Sequence, residues 1–335
     1  MSSILTKTRT VSTMNLIIFG VIAATSLFAG SAELAASIMA EEIVIGINNL
    51  IKLERSLLKG TKNTKIPDSR KDVVGIALNV AIIVLAIYPY FAFIPICYLN
   101  LDPLYPILFQ NFQGNLFIKT SLFFLRILLC LPGAIEIARI VSSTMLILTI
   151  GLKCALNSIR ILGLRSWQIS FRLKSNTLFL AHSQLTIIFS LIIIIQSTVT
   201  AFLMGFGLVG TVGYNFVTLK MHGLIPMPLY LVFPSCSILM QGLINILIPL
   251  AISVYEDSAE VLNKWVYWSH KAGEGGYHAL CQRRLRSTRP HWFGAGVGQY
   301  TLFVIKKSTK VTFYMAILSY TIDSLLAIDV KGFTV

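Results

Sequence analysis

Few residues in this 335-residue chain have the type and spacing to do chemistry, and the clearest lie near its C-terminal end. In the apolar stretch 311–328, Ala316, Tyr320, Asp323 and Ala327 recur at helical spacing on one face, while Met315, Leu318, Ile322, Leu325 and Leu326 take the rest. A membrane helix with a tyrosine and a carboxylate on one side must turn that side toward protein or water. Two kinds of work suit such a face: packing inside a helix bundle, or lining an aqueous pore in which a carboxylate attracts cations. Glu136 and Arg139 stand one helical turn apart and can pair, either as a structural ion pair or as part of a conduction or gating element.

Other candidate motifs lack the context their chemistry needs. Gly205, Gly207 and Gly210 spell G-x-G-x-x-G, yet they close an apolar run instead of opening a helix after a strand, and no acidic residue follows about 20 positions later. Close helix packing is the better use for glycines in such a run. His270, His278, Cys281 and His291 fit no zinc spacing, and the remaining cysteines, Cys97, Cys130, Cys154 and Cys236, lie mostly within apolar runs as small buried hydrophobes. No membrane acid has a His or Cys partner at usable spacing, so no enzyme, metal site or cofactor is expected.

The elements that must position these residues are membrane helices. Apolar residues make up 55% of the chain, charged residues 13%, and the mean hydropathy is +0.76. Several runs reach the roughly 20 residues that cross a hydrocarbon core as helix, and none alternates like a barrel strand. The expected class is an all-α polytopic bundle with six clear spans. These are one run starting at 16–40, then 73–99, 118–152, 184–212, 225–254 and 311–328. The net charge of +14 does not point to nucleic acid, because the basic residues sit between spans without aromatic platforms. Seven lie in 52–71, five in 153–174 and nine in 255–310, together 21 of the 28 Lys and Arg, which marks these stretches as cytoplasmic loops. Residues 100–116 carry Asp102 and no base, so they belong outside, as does the C-terminal stretch 329–335.

Finer features follow. Lys7 and Arg9 precede the first run, which continues to about residue 58; as one helix it would be about 66 Å long, so it either stands partly in water or folds as a hairpin. Pro132-Gly133 is expected to break or kink the third span, and Pro89 and Pro95 interrupt the second. Under this topology the outer ends of four spans gather Tyr88 and Phe91, Phe123, Gln196 and Thr200, and Tyr230 and Phe233. Such a mixture suits a pocket for a small organic ligand, or else aromatics that pack and anchor at the interface. A secondary transporter is the competing class, but the two halves show no internal repeat.

The C-terminal stretch also resembles the signature of the arthropod odorant and gustatory receptor superfamily, in its gustatory form. The resemblance is carried by Tyr255-Glu256-Asp257-Ser258, by Trp265 and Trp268, by the basic run from Cys281 through Arg284 to Pro290, by Gly294-Ala295-Gly296, by Lys310 and by Ser319-Tyr320. It implies a plasma-membrane receptor that is a ligand-gated cation channel, built as a homo- or hetero-tetramer of seven-span subunits with the C-terminus outside. In that frame 255–310 is the anchor between subunits, 311–328 is the pore helix, and Ala316, Tyr320, Asp323 and Ala327 line the pore. The family's glutamine after the Thr-Tyr pair is Leu326 here, and its apolar pore-narrowing positions fall on Asp323 and Ala327. With seven spans in the family and six here, either 15–51 is a hairpin or the chain begins in the family's second span, which is the preferred expectation.

Cysteine-accessibility labelling on intact cells should find 52–71, 153–174 and 255–310 protected and 100–116 and 330–335 reactive. External labelling at 160–172 would overturn both the orientation and the resemblance.

Overall fold

The computed structural model describes residues 13–59, 73–98, 104–105, 116–168, 171–223, 225, 227, 229–271 and 276–327. Several expectations fall outside these residues: Lys7 and Arg9, the second half of the first basic loop, Asp102 with most of the loop around it, and 328–335. The chain forms α1 (Thr13–Ile38), α2 (Ala40–Lys59), α3 (Val73–Tyr98), α4 (Leu116–Gln168), α5 (Phe171–Lys220), a short turn of 3₁₀ helix (Leu229–Leu231), α6 (Val232–Lys271) and α7 (Gly276–Ser287). A two-stranded hairpin, β1 (Gly294–Val297) and β2 (Tyr300–Val304), then leads into α8 (Lys307–Ala327).

This is a multi-pass helical membrane protein. α3 to α6 contain stretches apolar and long enough to cross a bilayer, Val74–Tyr98, Phe117–Leu164, Asn176–Lys220 and Leu229–Lys271; a bent pair, Ala23–Ala35 with Ala40–Lys59, makes a fifth if it is one span. α8 is not among them, because Lys307, Lys310 and Asp323 dilute its 21 residues. The hairpin considered for 15–51 does not form. α1 and α2 instead meet at a bend of 69° around Met39. Glu41 and Glu42 open α2 where the positive end of a helix favours carboxylates. Leu50, Leu53 and Leu57 then recur on one buried face of this amphipathic helix.

The basic stretches 153–174 and 255–271 are not loops. They are helical ends of α4, α5 and α6, apart from 169–170, which lie outside the described residues. At 53, 50 and 40 residues these helices run to about 80, 75 and 60 Å, far beyond a hydrocarbon core of about 30 Å. What keeps them helical past the core is a second apolar pattern. Leu152, Leu156, Ile159 and Leu162 of α4, Leu178, Phe179 and Leu185 of α5, and Val254, Val261, Leu262 and Trp265 of α6 form one buried cluster with the leucines of α2. Trp265 is fully buried, edge-on to Phe179 at 5.7 Å and to His182 at 5.8 Å. We call this the basic end of the bundle and its opposite the far end. Nor do the prolines break their helices: Pro89, Pro95, Pro132 and Pro249 all sit inside. In a bundle, neighbouring helices and side chains can satisfy the backbone groups that a proline frees.

The β-hairpin departs from the all-α expectation. β1 lies along α5: His291 stacks on His182 at 4.4 Å and on Phe189 at 4.9 Å, Phe293 meets Phe189 at 5.4 Å, and the Gly298 amide donates to Thr198 Oγ1 at 3.3 Å. Ser258 of α6 fixes the approach, its Oγ accepting from the His291 amide at 2.9 Å. Two glycines make the hairpin possible. Gly298 turns with φ of +59°, and a Cβ on Gly296 would overlap the Tyr300 carbonyl at the bulge between Ala295 and Gly296.

Burial, aided by neighbouring His182, pushes the His291 imidazole down to about 3 from its usual 6.5. The unfolded chain takes up this proton near its ordinary value and the folded chain only near the lowered one, so stability falls as pH drops through that window. Thermal melts should therefore show a loss of stability between about pH 7 and about pH 5 that is smaller in His291→Phe.

Candidate ligand cavity and pore helix

A cavity of about 530 Å³ runs between α1, α3, α4, α5 and α6, a size suited to a small organic molecule. Among the described residues its wall holds no Asp, Glu, Lys, Arg or His. Polar groups are few: the hydroxyls of Thr25, Ser26, Tyr88, Thr200 and Tyr214 and the thiols of Cys130 and Cys236. Toward the far end Tyr88, Tyr214 and Cys236 form one polar edge. Tyr88 Oη donates to the Val232 carbonyl at 2.7 Å and lies 2.8 Å from Cys236 Sγ. Toward the basic end the floor is Phe293, Ile305 and Phe313, which belong to the hairpin and to α8. The glycines on α5 are not required by close packing: a Cβ on Gly207 would make ordinary contact with Ile244 at 3.6 Å and Phe313 at 3.9 Å, one on Gly210 with Met240 at 3.7 Å, and Gly205 and Gly213 have nothing within 4 Å.

Of the seven residues that sequence gathered into a pocket, Tyr88, Thr200 and Phe233 stand on this wall and four do not. Phe91 is exposed on the outside of the bundle and Phe123 stacks edge-on against Phe124 at 5.9 Å. Gln196 is buried elsewhere on α5, with neither amide atom bonded among the described residues. Tyr230 turns its hydroxyl to the Thr218 carbonyl at 2.8 Å. Sequence missed Phe28 of α1, Cys130 and Val141 of α4, Met204 and Tyr214 of α5, and Cys236 and Met240 of α6, which face the same space. Most are apolar or small residues within long apolar runs, where nothing in a single sequence marks which way a side chain turns.

α8 buries Phe313, Ile317 and Thr321 against the bundle. Tyr320, Asp323 and Ala327 are exposed, and Ala316 is partly so. Asp323 makes no hydrogen bond or ion pair with any described residue. Exposed on the same helix are Val311, Met315, Leu318, Ile322 and Leu326. Glu136 and Arg139 do pair, Arg139 Nε donating to Glu136 Oε2 at 2.9 Å, on the exposed surface of α4.

The remaining motif residues are dispersed over the basic end. Arg284 lies over the Phe179 ring at 5.0 Å, Lys271 over Trp268 at 5.5 Å, and Gly294 and Gly296 are buried in β1. Pro290 is half-buried just before His291, and Ser319 is exposed on α8 beside Tyr320. The histidines and cysteine weighed for metal do not gather. His270 contacts Gln282 Nε2 at 3.2 Å, Cys281 is buried in the core and His291 stacks on His182, while the side chain of His278 lies outside the described residues.

No protein-family model and no curated protein matches the sequence. The fold, however, is that of a solved receptor. The chain superimposes on the insect olfactory receptor OR5 from Machilis hrabei with a TM-score of 0.66, covering 92% of this chain and 80% of that one, at 12% sequence identity. The chain thus has the fold of an insect chemosensory receptor.

If the cavity is the ligand site, Phe233→Ala should raise the half-maximal ligand concentration about tenfold, the equivalent of ~1.4 kcal/mol of lost contact. Tyr230→Ala, off the wall, should leave it unchanged; dose–response curves at equal surface expression check the pair.

Proposed function

We propose that this chain is a subunit of a chemosensory receptor that is itself a ligand-gated cation channel. The observation that carries the reading is α8, a helix attached to a receptor-fold bundle along one buried strip and presenting on its exposed side Tyr320 and Asp323, which has no partner among the described residues. A carboxylate left facing hydrocarbon is too costly to keep, so this side belongs against water or other subunits. In a tetramer of like or related subunits, four copies of Asp323 would ring the conduction path, with Ala316, Tyr320 and Ala327 beside them. Acidic rings of this kind favour cations. The basic end is cytoplasmic on the same reading, by its excess of Lys and Arg. Residues 255–310 serve there as the anchor between subunits and α8 crosses the membrane as the sixth span, leaving the C-terminus outside the cell. The gustatory-like subtype rests on Ser319-Tyr320 and the motif run before them.

The cavity supports one ligand class. A buried hydroxyl without a partner costs about 1–3 kcal/mol, and a sugar would bring several into a wall whose hydroxyls are few and whose Tyr88 already donates to Val232. The ligand is therefore a neutral, mainly apolar molecule with one or two hydrogen-bonding groups, met at the edge formed by Tyr88 and Cys236.

Expressed chains should pass cation current on exposure to neutral apolar compounds and none to hexoses. Asp323→Asn, which keeps shape and removes charge, should shift reversal potentials in asymmetric salt toward anion permeability. An unshifted potential with normal surface expression would remove Asp323 from the pore.

A further inference from the structure

We propose that Lys220 is the latch that holds the far end of α8, and that residues shared with the cavity wall operate it. Lys220 is the last residue of α5, and its Nζ donates to the Leu325 carbonyl at 2.6 Å. Leu325 lies in the last turn of α8, where its carbonyl has no donor among the described residues of that helix and where the negative end of a helix favours a cation. One bond therefore answers two needs of that terminus.

The latch sits beside the cavity without belonging to it. The Leu325 side chain packs on a buried cluster that includes Tyr214, Leu229, Val232 and Phe233, and all four of these also line the cavity. Lys220 does not line it. A molecule entering the cavity pushes on members of the cluster against which Leu325 packs, and this shared cluster couples occupancy to the Lys220–Leu325 bond. Nearer the basic end α8 is tied by the Tyr314 hydroxyl, which donates to Asn245 Oδ1 at 2.7 Å, while Phe313 faces the cavity. Between the two ties only Ile317 and Thr321 are buried, and the rest of the helix is exposed or only partly covered. An element held by so narrow a strip can move as a body, and a single terminal bond then weighs heavily in its equilibrium. Lys220 is a positioning residue on this account: it touches neither ligand nor permeating ions and changes only how readily α8 moves.

The inference rests on the channel reading above, and the experiment separates the two. Lys220→Met removes the donor and keeps the length of the side chain, whereas Lys220→Arg keeps a charged donor. With a neutral apolar compound that evokes current from the native chain, Lys220→Met should shift the half-maximal concentration at least threefold. Lys220→Arg should stay near native, and the reversal potential should not change in either. Leu325→Ala keeps the acceptor carbonyl but removes the side chain that seats it, so it should shift the curve in the same direction, and the double variant should depart from the product of the two single factors because both changes loosen the same turn of α8. An unshifted curve in Lys220→Met and in Leu325→Ala overturns the latch, as does a shift in reversal potential, which would make Lys220 a charge acting on ions. Amide hydrogen exchange on purified protein reads the latch without current: exchange at 322–327 should rise several-fold in Lys220→Met, and unchanged exchange overturns the proposal. Silence of the native chain at confirmed surface expression would sink the channel reading alone, with hydrogen exchange still deciding the latch.

Discussion

At the basic end, α2, α4, α5 and α6 share one apolar cluster around the fully buried Trp265, and the arrangement of everything else starts from it. Within a bilayer there is little hydrophobic force between helices, since lipid tails are as apolar as leucine. Beyond the hydrocarbon core water returns, and burying Leu50, Leu156, Leu162, Leu185 and Trp265 again lowers the free energy. The helices are therefore tied where they leave the membrane, and looser packing is tolerable where they cross it. That difference allows a cavity to survive between α3, α4, α5 and α6.

The hairpin translates this cluster into the direction of α8. His291 and Phe293 dock against His182 and Phe189 of α5, Ser258 holds the His291 amide, and the turn at Gly298 reaches Thr198. The chain then returns through β2 and enters α8 alongside α5, with Phe313 near Gly207 and Leu325 under Lys220. In the Gly294-Ala295-Gly296 segment the two strands thus approach too closely for a Cβ on Gly296, while one on Gly294 would run into the Trp292 ring.

The cavity and α8 divide the polar chemistry between them. The wall has hydroxyls and thiols but no charge, so it can select a ligand by shape and by one or two hydrogen bonds. The carboxylate sits on the exposed side of α8, away from Phe313, which touches the cavity. Keeping charge out of the wall avoids burying an unpaired ion in a low-dielectric space, and keeping it on α8 leaves it available to water.

The sequence by itself determined the class of protein, because an apolar fraction of 55% with basic residues collected between long apolar runs has no other stable solution than a helical membrane bundle. It also determined the course of α3 and most of α8, whose apolar runs end at charges or prolines, and the pairing of Glu136 with Arg139, a local one-turn contact. Only the tertiary structure decided that 153–168 and 255–271 are helical, since their buried residues serve partners that are distant in sequence. It alone decided the hairpin, whose four- and five-residue strands are too short to announce themselves, and the bend between α1 and α2. The cavity was the least legible. Tyr88, Thr200 and Phe233 face it while Phe91, Phe123, Gln196 and Tyr230 turn away. In a helix that is apolar on every side, rotation about its axis is fixed by neighbouring helices and leaves no mark in the sequence.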